Sequence, residues 1–142
     1  MSLRKKTVLL LYGINALISV ILGSVYLFKD SFMSYHQVAL GISWTNLEPS
    51  LRVLIGALMD VAGAGWIAVG VATAVLILGP LRDGERWSRF LVPVLLMIFY
   101  VPTLYATLVV MAETPATPPW YGNATSCLTV LLGFLIDSPW RA

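Results

Sequence analysis

The sequence predicts an all-α fold: a four-helix transmembrane bundle with up-down-up-down topology and a short interfacial helix between helices 1 and 2. Three observations lead to it. Four long apolar runs lie at about residues 7–28, 53–79, 90–112 and 120–136. Only 11% of the residues are charged and the mean hydropathy is +0.84, whereas soluble domains have about 25% charged residues. Finally, the basic residues concentrate on one side of the runs.

Each apolar run is close to the roughly 20 residues that a helix needs to cross a bilayer core. The runs occupy most of the chain, so we predict a single integral membrane domain over residues 1–142. Basic residues precede the first run, as they do in a signal peptide, but that run exceeds the apolar region of about 7–15 residues found there. We therefore expect the first run to be retained as helix 1.

The distribution of basic residues predicts the orientation. With four spans, one side of the membrane holds both termini, the 80–89 loop and the basic residues Arg4, Lys5, Lys6, Arg82, Arg86, Arg89 and Arg141. The other side holds only Lys29 and Arg52. Because cytoplasmic loops are enriched in Lys and Arg, both termini are predicted to be cytoplasmic. This topology accounts for the net charge of +2, and we expect no nucleic-acid binding.

The connections between the runs differ in character. The loop at residues 80–89 is short, so helices 2 and 3 should be antiparallel neighbours. Residues 113–119 are rich in proline and cannot be helical throughout. In the long segment 29–52, apolar side chains recur at helical spacing, which predicts a short helix on the outer membrane interface.

Helix 2 is rich in small residues. Counting in fours through Asp60 places four of them on one face: Gly56, Ala64, Ala68 and Ala72. Small side chains let helix backbones approach closely in lipid, so we predict that this face packs within the bundle. A seam with a second copy or a partner subunit is the alternative. On helix 1, Asn15 and Ser19 are expected to form hydrogen bonds across helices.

Asp60 is the one charged residue inside an apolar run. A carboxylate within a span costs about 2.5–3.5 kcal/mol on insertion scales and is a functional hypothesis by default. We consider three roles for it: a structural hydrogen-bond acceptor, a ligand or proton site, and a contact to another subunit.

A polar pocket open to the outer side is predicted around Asp60. Its other candidate ligand-binding residues are Trp66, Tyr100, Thr103, Tyr105, Glu113 and His36. Pro102 interrupts the hydrogen bonding of helix 3, and the resulting bend could open a cavity there. Two carboxylates and a histidine could serve acid–base chemistry or bind a metal. No spaced ligand motif accompanies them, so we predict no metal site, assign no catalytic residue, and expect no cofactor apart from a lipid or quinone as ligand.

The single cysteine and single histidine limit the chemistry further. Cys127 cannot form an intrachain disulfide, and one His with one Cys argues against a haem bundle or a thiolate metal centre.

Three segments carry a family resemblance: Leu51–Asp60, Arg82–Arg89 and Val101–Tyr105. Together with the layout of the runs, they resemble small bacterial four-helix membrane proteins of the DoxX-like group. Some members of that group are subunits of quinone-linked oxidoreductases, so the resemblance implies an accessory membrane subunit. No residue role is carried over from the group. The expected location is the bacterial inner membrane.

Three functions are compatible with these features. The leading hypothesis is a non-catalytic accessory or structural subunit that contacts the lipid bilayer and other membrane subunits, or forms a homo-oligomer. The alternative is a lipid-, sterol- or quinone-binding protein, or a small membrane enzyme, that uses a pocket around Asp60. The third function is a transporter. It would have to be an oligomer, because four spans with one acidic residue make a poor pathway in a monomer.

Overall fold

A computed structural model describes residues 1–141, and this part of the chain contains helices and no strand. The α-helices are α1 (Leu3–Phe28), α2 (Ser34–Leu40), α3 (Pro49–Leu76), α4 (Arg86–Glu113) and α5 (Trp120–Asp137). A 3₁₀ turn covers Trp44–Asn46, and a π-helical segment at Ile77–Leu81 extends α3. The predicted all-α class is confirmed, as is a short helix between the first two long ones.

Three of the helices are long and apolar enough to cross a membrane: α1, α4, and α3 together with its extension to Leu81. Helix α5 is the exception among the four predicted spans. It has 18 residues, which corresponds to about 27 Å, and its first turns carry polar residues such as Asn123 and Ser126. The structure thus provides three spanning candidates where the sequence predicts four.

Helix α3 begins at Pro49, four residues before the predicted span. Proline suits the first turn of a helix because no intrahelical hydrogen bond requires its missing N–H group. Glu48 caps the helix by accepting a hydrogen bond from the Ser50 N–H at 3.4 Å, and hydrogen bonds from Ser50 lower the pKa of this carboxyl. At the other end, Gly79 has non-helical backbone angles and Pro80 follows it. The chain then turns through Gly84, whose φ of 89° favours glycine.

Helices α1 and α3 pack antiparallel with their backbones in direct contact. A Cβ atom added to Gly63 would lie 2.8 Å from the carbonyl oxygen of Gly23 and 2.9 Å from the Leu27 nitrogen. A Cβ added to Gly70 would lie 2.7 Å from the Ala16 carbonyl oxygen. These approaches leave no space for a side chain, so glycine is required at both positions of α3.

The face of α3 that packs within the chain is not the predicted one. The buried residues of α3 are Met59, Gly63, Trp66, Gly70 and Thr73. In contrast, Ala64, Ala68 and Ala72 are exposed, and Gly56 has open space around it. The physical reason is the helical period: steps of four residues rotate by about 40° each around a helix of 3.6 residues per turn. Residues spaced by alternating steps of three and four stay on one face, and the buried residues of α3 from Met59 to Thr73 follow that spacing.

The main core lies between all four long helices. Its fully buried members include Tyr12 from α1, Leu96 and Tyr100 from α4, and Val130 from α5, with Trp66 from α3 beside them. A smaller cluster of Phe32, Leu47 and Met59 lies beneath α2. Arg52 of α3 stabilises the segment that precedes this helix. Its guanidinium donates hydrogen bonds to the carbonyl oxygens of Thr45 and Leu47 at 2.9 and 3.1 Å.

The beginning of α1 and the end of α5 meet at the opposite end of the bundle, which we call the basic end. There Arg89 of α4 pairs with Asp137 at the end of α5: Nε lies 2.9 Å from Oδ2 and Nη2 lies 3.1 Å from Oδ1. Arg89 also donates to the Asp137 carbonyl oxygen at 2.7 Å, and Arg4 of α1 donates to the same oxygen. These contacts join α1, α4 and α5.

Substituting the contact glycine should weaken the α1–α3 pair. Gly63→Ala places a methyl group against the backbone of α1, and we expect a loss of about 1–3 kcal/mol, as in other overpacked sites. The measurement is unfolding by SDS in mixed micelles. Gly56→Ala on the same helix is the matched control, and it should leave stability unchanged or slightly raised because its Cβ meets nothing within 4 Å. Equal effects of the two substitutions would contradict the proposed contact.

Candidate functional site

The structure separates the residues predicted to form one pocket. Trp66 and Tyr100 do pack together, with ring centroids 5.6 Å apart. Thr103 is half-buried and its hydroxyl donates to the Phe99 carbonyl oxygen of its own helix at 2.7 Å. Tyr105 is 69% exposed, and Glu113 is exposed at the last residue of α4. The predicted pocket around Asp60 is therefore spread over several surfaces.

A hydrogen-bonded network occupies the interior near Tyr100. The Tyr100 hydroxyl donates to the Asn15 carbonyl oxygen at 3.1 Å and lies 2.7 Å from the Ser19 hydroxyl. Because a phenol has one proton, Ser19 is the donor in the second bond. The Asn15 side chain donates to Thr129 of α5 at 2.9 Å. The expected cross-helix bonds of Asn15 and Ser19 are confirmed, and they tie α1 to α4 and α5.

Asp60 lies on the outside of the bundle. Its side chain is exposed, and the one ion pair within residues 1–141 involves other residues. The midpoint of the apolar segment Pro49–Leu81 is residue 65, so Asp60 lies about 8 Å from it along the helix axis. In a hydrocarbon core about 30 Å thick centred on that midpoint, the carboxylate is at membrane depth.

An apolar cavity of about 390 Å³ lies beneath α2, and we call it the α2 pocket. Helices α1, α3 and α4 contribute to it, and its lining includes Tyr26, Phe32, His36, Ile55, Met59 and Val110. Of the predicted site residues His36 alone lines it, and Asp60 does not. Ile55 and Met59 are not among the predicted site residues. Met59 could have been found, because with Gly63, Trp66 and Gly70 it follows the alternating spacing of four and three that marks the buried face of α3.

His36 is the polar group of the α2 pocket that can change charge. Its Nδ1 atom accepts a hydrogen bond from the Met33 backbone N–H at 3.3 Å, and its ring packs edge-on against Phe32 and Tyr35. Burial lowers the pKa of His36. Next to it the Tyr35 hydroxyl is hydrogen-bonded to that of Tyr26, and burial together with this bond raises the pKa of Tyr35.

No protein-family model, curated protein or solved structure matches the chain. Within residues 1–141, no group of three or more His, Cys, Asp and Glu side chains is arranged to hold a metal ion.

Removing the Tyr100 hydroxyl should destabilise the bundle. Tyr100→Phe leaves the Ser19 hydroxyl without its acceptor and removes the side-chain donor to the Asn15 carbonyl. We expect a loss of about 0.6 kcal/mol, the average for such bonds in membrane proteins, and at most about 1.7 kcal/mol. Tyr105→Phe, at an exposed position of the same helix, is the control and should be neutral. SDS titration checks both, and a double-mutant cycle with Ser19→Ala isolates the pair. A coupling of zero would contradict the network.

Protonation of His36 should loosen the first turn of α2. Because burial lowers its pKa below the ordinary 6.5, the stabilisation is fully present above about pH 6.5 and is lost as the pH falls from there through the lower pKa of the folded protein. A protonated ring has no acceptor at Nδ1, so the Met33 N–H loses its bond. The check is an NMR titration of this single histidine, together with hydrogen exchange at the Met33 amide.

The His36→Gln variant is the control for that titration, because it removes the ionisable group. The protection of the Met33 amide, which is its exchange rate relative to the intrinsic rate at each pH, should then no longer change between pH 5 and 7 (about the range in which histidine titrates). A titration midpoint at or above 6.5 in the wild-type protein would contradict the burial of the ring.

Proposed function

We propose that the protein is a non-catalytic accessory subunit of a larger membrane complex. The observation that carries this proposal is the exposed carboxylate of Asp60 at membrane depth, on a helix face made largely of small residues. We include α5 as a fourth, shorter span, because it packs against both α1 and α4 along the bundle. Both termini are then cytoplasmic, in a bacterial inner membrane.

The cost of exposing Asp60 to lipid supports a partner helix. A carboxylate at the centre of a span costs about 2.5–3.5 kcal/mol on insertion scales. Asp60 bears part of that cost about 8 Å from the centre, and no ion pair within residues 1–141 offsets it. A transmembrane helix of another protein that carries Lys, Arg or a hydrogen-bond donor at the same depth would remove that cost. The exposed Ala64 and Ala68 would let its backbone approach closely.

The interior of the bundle also favours a structural role. The polar side chains of Asn15, Ser19, Tyr100 and Thr129 bond one another across helices. Such bonds hold helices together. The resemblance to DoxX-like proteins agrees with an accessory subunit and forms part of this proposal.

Photo-crosslinking tests the proposed partner face. A photoreactive residue at Ala64 should give an adduct with one other membrane protein, identified by mass spectrometry after purification from native membranes. The matched control is the same residue at Ile98, which is 69% exposed on α4, and it should give lipid adducts alone. Asp60→Asn should reduce the Ala64 adduct while the folded chain persists, and Asp60→Glu should retain most of it.

Other adducts from Ala64 would change the conclusion. An adduct with a second copy of this chain would show that the face of Ala64 forms a homo-oligomer, and it would overturn the proposal of an accessory subunit. Lipid adducts alone, equal to those from Ile98, would overturn the proposal.

The α2 pocket favours a second candidate, binding of an apolar small molecule such as a lipid, sterol or quinone. Its volume of about 390 Å³ is within the range of roughly 300–1,000 Å³ typical of small-molecule sites, and its lining is almost entirely apolar. A chain that purifies without protein partners but retains one bound molecule, lost when Met59→Trp fills the cavity, would favour this function over the first.

A further inference from the structure

We propose that a second cavity, at the basic end, binds a phosphate group, carried by the headgroup of an anionic lipid or present as free phosphate. The cavity has a volume of about 350 Å³ and its polar lining includes Ser2, Arg4, Lys5, Arg89, Asp137 and Arg141. It lies at the far end of the bundle from the α2 pocket and does not depend on the partner proposed above.

The charges around the cavity do not balance. Four basic side chains line it against the single carboxylate of Asp137. Arg89 holds both oxygens of that carboxylate, and Arg4 donates to the Asp137 backbone carbonyl. The carboxylate and the backbone carbonyl of Asp137 thus already accept hydrogen bonds from two guanidinium groups. Among these five lining residues three positive charges remain in excess, which favours an anion.

The basic side chains converge on the cavity from three parts of the chain: Arg4 and Lys5 from α1, Arg89 from α4, and Arg141 after α5. Lys5 belongs to the first turns of α1 and reaches the turn that precedes α4: a Cβ atom built on Gly84 would lie 3.9 Å from its Nζ. Arg4 uses one hydrogen bond of the five that a guanidinium can donate, so it retains further N–H groups. Arginine forks and a lysine ammonium are the side chains that recognise phosphate oxygens.

The start of α1 adds to the positive potential. This helix of 26 residues begins at Leu3 with Ser2 as its cap, and both lie beside the basic cluster. The first N–H groups of a long helix and its macrodipole favour an anion at this end. The C-terminal end of α5, whose dipole is negative, lies nearby and would repel an anion. Arg4 and Arg89 offset this effect because both donate hydrogen bonds to the Asp137 carbonyl oxygen.

The floor of the cavity is apolar. It is formed by Val8 and Leu9 of α1 and by Leu81 at the end of the π-helical segment. A phosphate among the basic side chains would place a glycerol or acyl group against this floor. Basic pockets between transmembrane helices on the cytoplasmic side bind phospholipid headgroups in this way.

Lipid titrations of the purified full chain test the proposal. In a neutral detergent, added phosphatidylglycerol should raise the thermal unfolding midpoint in a saturable manner, and phosphatidylcholine should not. The double variant Lys5→Gln/Arg141→Gln should bind phosphatidylglycerol roughly tenfold or more weakly, because each basic side chain contributes to anionic-lipid attraction. Lys6→Gln/Arg82→Gln is the control: it removes the same charge from exposed positions that do not line the cavity.

Inorganic phosphate, titrated in parallel, separates the two sources. Stabilisation by phosphatidylglycerol alone would assign the site to a lipid headgroup, and similar saturable stabilisation by both would assign it to the phosphate itself. Equal stabilisation by phosphatidylcholine, or an equal loss of binding in the control variant, would overturn the proposal. If the double variant unfolds, Lys5→Gln is compared with the charge-preserving Lys5→Arg. Weaker binding of phosphatidylglycerol by Lys5→Gln, with binding retained by Lys5→Arg, supports the site. Equal binding by the two variants overturns it.

Discussion

The backbone contact between α1 and α3 is the constraint on which the rest of the structure depends. In lipid the hydrophobic effect does not drive helices together, so close packing must do so. Gly63 and Gly70, seven residues apart, meet the backbone of α1 directly. This contact fixes the rotation of α3 about its axis, which turns Trp66 and Thr73 inward and Asp60 outward. The exposed carboxylate is therefore a consequence of the glycine positions.

The other long helices are held by the apolar core that all four share and by polar groups. Tyr100 and Asn15 bond within the interior, and Arg89 and Asp137 form the ion pair at the basic end. The two ends of the bundle differ in chemistry. One end has the apolar cavity beneath α2, and the other has a cavity lined mainly by basic side chains. The proposed partner helix and the proposed phosphate group would thus occupy different surfaces of the chain, the first beside Asp60 and the second at the basic end.

The predicted pocket around Asp60 shows where the sequence became insufficient. The order of residues along each run gives an approximate depth in the membrane, and the predicted pocket includes Asp60, Tyr105 and Glu113. Whether two side chains at one depth meet depends on the rotation of each helix, which the α1–α3 contact decides. Trp66 and Tyr100 pack against each other in the core, whereas His36 lines a separate cavity to which α1, α3 and α4 also contribute.

The sequence by itself determined the helical class, the approximate positions of the long helices and the gathering of basic residues at one end. Hydropathy and charge are local properties, and local composition is enough for these features. Only the tertiary structure decided which face of α3 is buried, because steps of four and alternating steps of three and four both appear in a helix so rich in Ala and Gly. It also decided that Arg4, Arg89 and Asp137 meet, since residues far apart in sequence converge only after the helices have packed.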